Sequence, residues 1–524
     1  MARLRAASLA AFFTAFFMAV ASGPVAAQDV LLRSHDGAVE IAGDLLGFDG
    51  EFYRVETIYG ELTVDGSGVT CEGPGCPDLE AFVARAVFSG APIIGRVLLP
   101  SLLEAFAIRD GYVLRRHAED GDVHRLTLHA RDAENTLLGA FRFRLTSSDE
   151  GLADLLTGDA DISMSLREAR AEELARAREA GLGDLTAPAR MRVLALDALV
   201  PVVAPTNPVQ SLSLRDLSGI LSGKIVNWSA LGGPDAPIDV HLWAPETGIG
   251  QAIADQVMRA DQAELARAVT THRDGAALAR AVVANPFAFG ITPRSEQGAA
   301  WELALTGPCG FALRADRRTV KTEDYPLTAP LLLYLPARRL PKLIRDFIAY
   351  LNDPSAQLVI RRAGFVDQAP EEIGIARQGD RFANAIARAG PETALGELQR
   401  MVGLLAPLRR LTTTFRFETG SVRLDVQSRA NVERLADALQ LGLYDNRRLV
   451  FVGFSDGQGA ARVNREIALR RAKAVRDAVV AMAETARLDR VDMAVDAFGE
   501  AMPMACDETA WGRQVNRRVE VWVR

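Results

Sequence analysis

The chain has 524 residues, and its 60 Lys and Arg against 67 Asp and Glu give a formal net charge of -7. At about 150 residues per domain, this length predicts three or four domains. A mildly acidic chain lacks the basic surface that binding to a phosphate backbone requires, so nucleic acid is excluded as the expected partner. With 49% hydrophobic residues, a folded, well-cored protein is predicted. Six histidines and four cysteines are little material for a metal cluster, and neither a metal nor a cofactor is expected.

Residues 1–27 are predicted to be a cleaved export signal. Arg3 and Arg5 precede an uncharged apolar run over 6–20, and small residues at 25–27 suit a signal peptidase. The alternative is a retained membrane anchor, but the apolar run is shorter than the ~20 residues that a transmembrane helix needs. No cysteine directly follows the signal, which argues against a bacterial lipid anchor.

Export permits disulfide bonds, and four cysteines allow three sets of pairings. Cys71 and Cys76 flank the turn-forming sequence Glu-Gly-Pro-Gly, so we expect a bridge between them that holds a local turn. Cys309 and Cys506 can either pair with each other or both stay free, and the sequence does not decide between these alternatives.

Residues 28–76 are predicted to form a small β-rich module. Its short alternating apolar runs are separated by the sequences His-Asp-Gly, Phe-Asp-Gly and Val-Asp-Gly, which are typical of turns. The pattern predicts no function for this module.

Strand and helix patterns alternate from 77 to 372, which predicts βαβ units and a mainly parallel sheet. Residues 191–204 are apolar almost throughout, as expected for a strand buried on both faces. In such a sheet, ligands bind at the carboxyl ends of the strands. We expect helices at 81–87, 98–107 and 214–221, the start of another at 152–157, and strands at 140–146, 191–204 and 238–243.

The C-terminal third divides into a connector and a compact unit. Residues 373–407 are predicted to be a largely helical connector, punctuated by Gly and Pro. Residues 408–524 are predicted to be a βαβαβ-like unit. Its strands are expected at 412–417, 448–454 and 515–523, with a long helix at 463–482 and another whose buried face carries Val432, Leu435 and Leu439.

A specific motif follows the strand at 448–454. It reads Ser-Asp-Gly-Gln-Gly over 455–459, continues with Asn464 and Arg471 at fixed offsets, and closes with Asn-Arg-Arg-Val-Glu at 516–520. This region resembles the OmpA-like peptidoglycan-binding domain. The departures from the family pattern are Ser455 for Thr, Ile467 for Leu and Ala468 for Ser.

This resemblance implies that the domain binds the diaminopimelate residue of a peptidoglycan stem peptide. Asp456 is expected to accept a hydrogen bond from its ammonium group, and Arg471 to donate two to a carboxylate. Asn464 is either a ligand contact or a helix cap. Arg517 is expected to serve both the fold and the ligand. Without the family spacing, Asp456 would be a turn-stabilising residue and Arg471 a surface ion-pair partner.

A second series of landmarks lies between 89 and 366. It includes Ser89-Gly90 and Ser147-Ser148, each before a helix, and Gly158-Asp-Ala-Asp-Ile162; the most specific stretch is Gly223-Lys-Ile-Val-Asn-Trp228. These landmarks resemble those of periplasmic phosphate-binding proteins of the PstS type. The resemblance implies two α/β lobes that close over a ligand about a hinge.

The same resemblance implies an anion site at helix N-termini, whose N–H groups favour negative charge. The expected residues are Gly90, Ala91, Ser147, Ser148, Thr247 and Gly248. Several groups of the family are replaced, since Leu166 stands where an acceptor Asp is expected and Trp243 stands near the position of an Arg. Charge-assisted hydrogen bonds are worth ~1.5–3 kcal/mol each, so the affinity for phosphate is expected to fall by orders of magnitude. Trp243 is either a pocket wall or part of the core.

The predicted fold is a two-lobed α/β periplasmic-binding-protein fold with a small N-terminal β module and a C-terminal α+β OmpA-like domain. We expect a non-catalytic protein of the Gram-negative periplasm, associated with the cell wall and outer membrane, whose ligands are peptidoglycan and phosphate or another small anion. An envelope transporter or another protein is a candidate partner. The alternatives are an envelope scaffold whose degenerate solute-binding domain binds a protein, and a wall-bound enzyme, for which the sequence contains no catalytic motif.

Overall fold

The structure is a computed structural model, which describes residues 29–79, 81–119, 121–258, 263–307, 312–390, 393–418, 421 and 423–524. The predicted export signal over 1–27 lies outside the described residues. The chain divides into two compact units, Met1–Phe82 and Val83–Arg524. None of the helices in the described ranges is both long enough and apolar enough to span a bilayer.

The first unit is a five-stranded antiparallel sheet, which confirms the β-rich module. Its strands are β1 (Val30–Ser34), β2 (Glu40–Phe48), β3 (Phe52–Thr57), β4 (Gly60–Asp65) and β5 (Val69–Glu72), in the spatial order β4-β3-β2-β1-β5. Gly37 and Gly50 adopt the left-handed backbone that their Asp-Gly turns require. Cys71 and Cys76 form the predicted disulfide, with 5.8 Å between their Cα atoms.

The N-terminal part of the second unit is built on a mixed sheet of eleven strands. The strands of this part are β6 (Ala84–Gly90), β7 (Val113–Ala118), β8 (Val123–His129), β9 (Leu137–Leu145), β10 (Ile162–Ser165), β11 (Met191–Val203), β12 (Ser211–Ser213), β13 (Asp239–Trp243), β14 (Thr270–His272), β15 (Ala288–Pro293), β16 (Trp301–Glu302), β17 (Ala304–Thr306) and β18 (Thr328–Tyr334). The order is β14-β13-β15-β11-β18-β10-β6-β9-β8-β7, with β16 beside β11, while β12 and β17 pair separately. The prediction of a mainly parallel sheet is wrong, because β11 and β18 run antiparallel to each other and to their outer neighbours β15 and β10.

Within the described residues of this part, nine α-helices flank the sheets. They are α1 (Leu99–Asp110), α2 (Ser148–Thr157), α3 (Ala171–Glu179), α4 (Leu214–Leu221), α5 (Gly248–Ile253), α6 (Gly275–Ala284), α7 (Arg317–Lys321), α8 (Lys342–Tyr350) and α9 (Pro354–Arg362). The helices predicted at 98–107, 152–157 and 214–221 are confirmed. The helix predicted at 81–87 is wrong: Ala84, Ala86 and Phe88 are buried at a spacing of two, and this segment is β6, paired with β9 and β10.

Two lobes share this sheet, as predicted. Lobe A contains β6 to β10 with α1 to α3, α8 and α9, and lobe B contains β13 to β15 with α4 to α6. Strand β11 passes from one lobe to the other: Met191–Ala198 pair with β18, and Leu199–Val203 pair with β15. The chain returns from α7 to β18 through residues 322–327. We call β11 and 322–327 the crossover segments.

The C-terminal part is a five-stranded sheet covered by helices on both faces. Its elements are β19 (Glu372–Ile373), α10 (Gly379–Ala387), α11 (Leu395–Leu405), β20 (Arg409–Arg416), α12 (Val426–Gln440), β21 (Arg448–Phe454), α13 (Ala461–Met482), β22 (Asp492–Gly499), α14 (Ala510–Asn516) and β23 (Arg518–Val523), with strand order β19-β20-β23-β21-β22. The last strand begins at Arg518 rather than at 515, because 510–516 are helical, and β22 was not predicted.

Alternate residues of β21 explain why both faces are covered. Leu449 and Phe451 pack with α12 and α13, whereas Val450 and Val452 pack with α11. The segment expected to be a connector, 373–407, therefore contributes a packed helical layer to this part of the protein.

Candidate functional site

The C-terminal motif folds into a polar site at the end of β21. Ser455 to Gly459 form the loop after this strand, and α13 begins at Ala461. The helix approaches the strand closely, since a Cβ at Gly453 would lie 2.1 Å from the carbonyl oxygen of Ala468. Ala468 itself is fully buried. The family serine that Ala468 replaces therefore stands at a packing position of this fold.

Two of the predicted ligand-binding residues form an ion pair in this site. The Nη1 of Arg517 donates to Oδ2 of Asp456 at 2.6 Å, and both side chains are largely buried. Among the described residues, Oδ1 of Asp456 accepts one long hydrogen bond, 3.3 Å, from the backbone N–H of Gln458. One oxygen of Asp456 is therefore held by Arg517, and the other has weaker contacts.

Arg471 lies beside this pair, on the first half of α13. Its guanidinium stacks over the ring of Phe417 at 5.1 Å. No hydrogen bond or ion pair joins Arg471 to any other described residue, and its Nε is buried without a partner. Burial and the neighbouring charge of Arg517 lower the pKa of Arg471, while Asp456 opposes this effect. The site thus presents a half-buried guanidinium whose donors have no internal acceptor among the described residues.

Two carboxylates that sequence reasoning missed lie on the other side of the loop. Oδ2 of Asp507 accepts from the backbone N–H of Gly457 at 2.7 Å. Oε2 of Glu500 accepts from Nδ2 of Asn464 at 3.1 Å. Asn464 is buried within α13 and does not cap it, because Ala460 occupies the cap position. The site therefore combines two guanidinium groups with several carboxylates, an arrangement suited to a ligand that carries both charges.

The second arginine of the closing motif points into the protein interior. Arg518 donates to Glu520 at 2.7 Å, and both side chains are fully buried. Glu520 also pairs with Arg381 and lies 3.4 Å from Nε of Arg410. Burial alone would raise the pKa of Glu520. The charges of Arg381, Arg410 and Arg518 instead hold this pKa well below its usual range. Arg518 thus stabilises the fold, whereas Arg517 lies in the site.

The predicted anion site lies where lobes A and B meet. Gly248 begins α5 in lobe B, and a Cβ added to it would lie 3.4 Å from Oγ of Ser148, which begins α2 in lobe A. Thr247 caps α5: its Oγ1 accepts from the N–H of Gly250 at 3.0 Å and donates to the carbonyl of Ala244 at 2.6 Å. The N-termini of the two helices are thus in direct contact.

The glycine and alanine of the first predicted anion-binding loop have partners inside lobe A. The backbone N–H of Ala91 donates to the carbonyl of Met164 at 2.9 Å, and the carbonyl of Gly90 accepts from Thr146 at 2.9 Å. Gly90 has a φ of 131°, and a Cβ there would lie 2.0 Å from the Met164 oxygen. Glycine is therefore required at position 90 by strand packing.

The two predicted serines also have internal partners. Ser147 and Glu150 form a capping box, in which Oγ of Ser147 accepts from the N–H of Glu150 at 3.1 Å and the Glu150 carboxylate accepts from the N–H of Ser147 at 3.1 Å. Oγ of Ser148 accepts from the N–H of Leu166 at 3.1 Å. An anion would have to compete with the Glu150 carboxylate for the start of α2.

An apolar cavity of about 10 Å³ remains between the lobes, close to the minimum for one water molecule. Ile93, Leu166 and Ile249 line it, together with Asp197; Trp243 is not among its lining residues. Asp197 accepts from Oγ of Ser295 at 2.5 Å, and burial raises its pKa to about 6. Anion binding in this cleft stays a prediction, and it would require the lobes to separate.

Within the described ranges, no three or more His, Cys, Asp or Glu side chains are arranged to hold a metal ion. His241 and His272 share a hydrogen bond of 3.0 Å, and the other ring nitrogen of His241 pairs with Asp239 at 3.0 Å. Cys506 is disulfide-bonded, and Cys309 lies outside the described residues.

Two segments of the chain match known families. Residues 139–354 match the PBP superfamily domain, and residues 416–517 match the OmpA family. Over 121 residues the chain is 31% identical to outer membrane porin F of Pseudomonas aeruginosa, covering 23% of this chain and 33% of that protein. Over 183 residues it is 20% identical to the phosphate-binding protein PstS of Borreliella burgdorferi, covering 34% of this chain and 66% of that protein. The chain thus spans a third of the first relative and just under two thirds of the second.

Solved structures similar to this chain include an ABC-type phosphate transport receptor from Vibrio cholerae, with 20% identity and a TM-score of 0.41 over 54% of this chain and 99% of that one. PstS from Borrelia burgdorferi shows 17% identity and a TM-score of 0.38 over 54% and 98% of the two chains. Both resemblances predicted from the sequence are confirmed by the family matches: the chain joins a PBP-like domain of two lobes to a C-terminal OmpA-family domain.

Proposed function

We propose that this chain is a non-catalytic binding protein of the Gram-negative periplasm, anchored to peptidoglycan by its OmpA-like domain. The observation that carries the proposal is Arg471, a half-buried guanidinium without an acceptor among the described residues. It lies beside the Asp456–Arg517 pair. An ionised group in such a place is suited to a charged ligand.

A diaminopimelate stem peptide provides the complementary groups. Its carboxylate can accept two parallel hydrogen bonds from Arg471, which is the geometry that a guanidinium favours. Its ammonium group can donate to Oδ1 of Asp456, whose present bond from Gln458 is long at 3.3 Å. Arg517 holds the other oxygen of Asp456 and so fixes the orientation of this carboxylate.

Co-sedimentation of the full chain with purified diaminopimelate-type peptidoglycan tests the proposal. Arg471→Ala should abolish sedimentation while the melting temperature stays nearly unchanged. Among the described residues the guanidinium has no hydrogen bond or ion pair to lose, and a partly exposed stacking contact such as that with Phe417 is worth only about 0.5–1 kcal/mol. Arg470→Ala is the matched control, since this exposed arginine precedes it on the same helix. Lysine-type peptidoglycan, whose stem residue lacks the second carboxylate, should sediment less of the wild-type chain. Retained sedimentation of Arg471→Ala would refute the assigned site.

For the PBP-like domain, we propose that the cleft between the lobes has lost the binding of phosphate. The relatives of this domain include phosphate-binding proteins. In this chain, however, Ala91, Ser147, Ser148 and Thr247 already have internal partners, and the cavity between the lobes is small and apolar. Calorimetric titration of the full chain with phosphate at low ionic strength should give no heat. Micromolar binding would contradict this proposal and favour a wall-anchored receptor for phosphate.

A further inference from the structure

The crossover segments are the parts of a two-lobed fold about which its lobes move, because hinge closure is absorbed by a few residues between the lobes. In this chain the two segments are joined to each other. The hydroxyl of Tyr325 donates to the carbonyl of Leu199 at 3.1 Å, and the N–H of Leu199 donates to the carbonyl of Leu327 at 2.9 Å. A displacement of one crossover segment therefore displaces the other.

The OmpA-like domain forms a buried ion pair with the second crossover segment. Arg410 of β20 donates to both carboxylate oxygens of Asp324, at 2.7 and 3.2 Å, and both side chains are buried. Although burial acts to raise it, the charge of Arg410 holds the pKa of Asp324 below its usual value. Separating this pair would break both hydrogen bonds between these buried charges and leave only longer contacts, from Asp324 to Arg416 at 3.6 Å and from Arg410 to Glu520 at 3.4 Å. Breaking a buried ion pair is strongly unfavourable.

Arg416, at the end of β20, binds the backbone of the same segment. Its Nη2 donates to the carbonyls of Glu323 at 2.7 Å and Thr322 at 3.3 Å. Glu323 has a φ of 53°, a left-handed conformation that is uncommon for a residue with a Cβ. The backbone of this crossover segment is thus held in an unusual conformation by a side chain of the other domain.

Arg434 of α12 binds the first crossover segment. Its side chain is partly buried, and its Nη2 donates to the carbonyl of Val193 in β11 at 3.1 Å. The pairing of β11 with β18 shifts register between Val193 and Ala195. Arg434 therefore satisfies a carbonyl at an irregular point of the strand that connects the lobes.

We propose that the OmpA-like domain acts as a clamp, through Arg410, Arg416 and Arg434, that holds lobes A and B of the PBP-like domain together. Opening the lobes requires the backbone of both crossover segments to rotate, and the clamp arginines oppose that rotation from a third body outside the lobes. Losing these hydrogen bonds leaves buried carbonyls and charges unsatisfied. The inference does not rest on the ligand of either domain.

The distance between the lobes tests the clamp in the full chain. Spin labels on Ile108→Cys in lobe A and Val226→Cys in lobe B report it, since both positions are well exposed. Arg416→Met/Arg434→Met removes two clamp contacts while keeping apolar bulk, and it should add a population at longer distance that the parent chain lacks. Arg400→Met is the control, because Arg400 is partly buried, like Arg434, but pairs with Asp496 inside the C-terminal part.

A distance distribution of the double variant that matches the parent overturns the proposal, as does an equal broadening in the Arg400→Met control. A parent chain that already populates the longer distance also overturns it. If the double variant does not fold, Arg434→Met alone decides by hydrogen exchange. Amides of β11 should then exchange about tenfold faster, the loss expected for one hydrogen bond, and an unchanged rate in β11 contradicts the clamp.

Discussion

The cleft between the lobes and the C-terminal site differ in whether their polar side chains have partners inside the protein. In the cleft, Ser147 and Ser148 are engaged by backbone groups of lobe A, and the remaining space is apolar. In the C-terminal site, Arg471 has no internal acceptor among the described residues. The comparison shows that a domain can keep the fold of its family while the polar groups at its expected binding site bond to the protein itself. A polar side chain without an internal partner is therefore the better indication of a binding site.

The largest loss of stability is expected when a buried charge that has internal partners is removed. Glu520→Gln would leave Arg381, Arg410 and Arg518 buried around a neutral side chain. Breaking a buried ion pair in this way costs about 3–5 kcal/mol of unfolding free energy. Chemical denaturation of the variant measures it.

Arg471→Ala is the comparison for that measurement, because its guanidinium has no such partner and its removal should leave the unfolding free energy nearly unchanged. Equal destabilisation by the two variants would show that the distinction between internal and ligand-directed charges is wrong.

The second prediction concerns the pH dependence of stability. The carboxyl groups responsible for it lie in the PBP-like domain. Burial raises the pKa of Glu323 to about 8 and the pKa values of Glu168 and Glu296 to about 7. These carboxyls bind protons in the folded protein at pH values where the unfolded chain has already lost them. The contribution of these three carboxyls to stability is therefore fully present below the ordinary carboxyl pKa and is lost as the pH rises towards about 8.

Melting temperatures measured across this range should fall as the pH rises. Glu323→Gln should flatten the dependence, since the amide cannot ionise, whereas Glu104→Gln, an exposed control, should not change it. A melting temperature that rises with pH through this interval would contradict the assignment.

The smallest expected loss of stability concerns Ser147, which lies at the start of α2 in the cleft. Ser147→Ala removes the capping box of α2, which should cost about 1 kcal/mol of unfolding free energy. Because we assign Ser147 to the fold, the variant should leave the phosphate titration unchanged. Phosphate binding by the parent chain that Ser147→Ala abolishes would instead show that Ser147 contacts the ligand. Ser101→Ala is a suitable control, since that hydroxyl bonds only within its own helix region.

Sequence patterns predicted those features of the structure that depend on residues close together in the chain. The apolar run of β11 and the offsets of Asp456 and Arg471 after β21 needed no tertiary information. The segment at 81–87 was misassigned because its alanines suit a helix as well as a strand, and only pairing with β9 and β10 decides. Glu500 and Asp507 reach the site from distant positions, so no spacing rule around the motif could have indicated them.

The closure of the cleft could not be predicted from the sequence either. It depends on Gly248 of one lobe meeting Ser148 of the other, and these residues are a hundred positions apart along the chain. The internal use of Ser147 is a different case, because Glu150 follows it at the interval of a capping box. That signal was present in the sequence and could have reduced the expectation of a free hydroxyl.

Helices α10 and α11 have a mechanical consequence. If a flexible linker stood in their place, the distance between the two domains would vary, and its average would grow with the square root of the linker length. Because α11 is instead packed on the C-terminal sheet, there is little loose chain to stretch. Tension applied to the OmpA-like domain would pass directly into the two-lobed domain. With the proposed attachment to peptidoglycan, the two-lobed domain would therefore stay at a nearly constant distance from the wall.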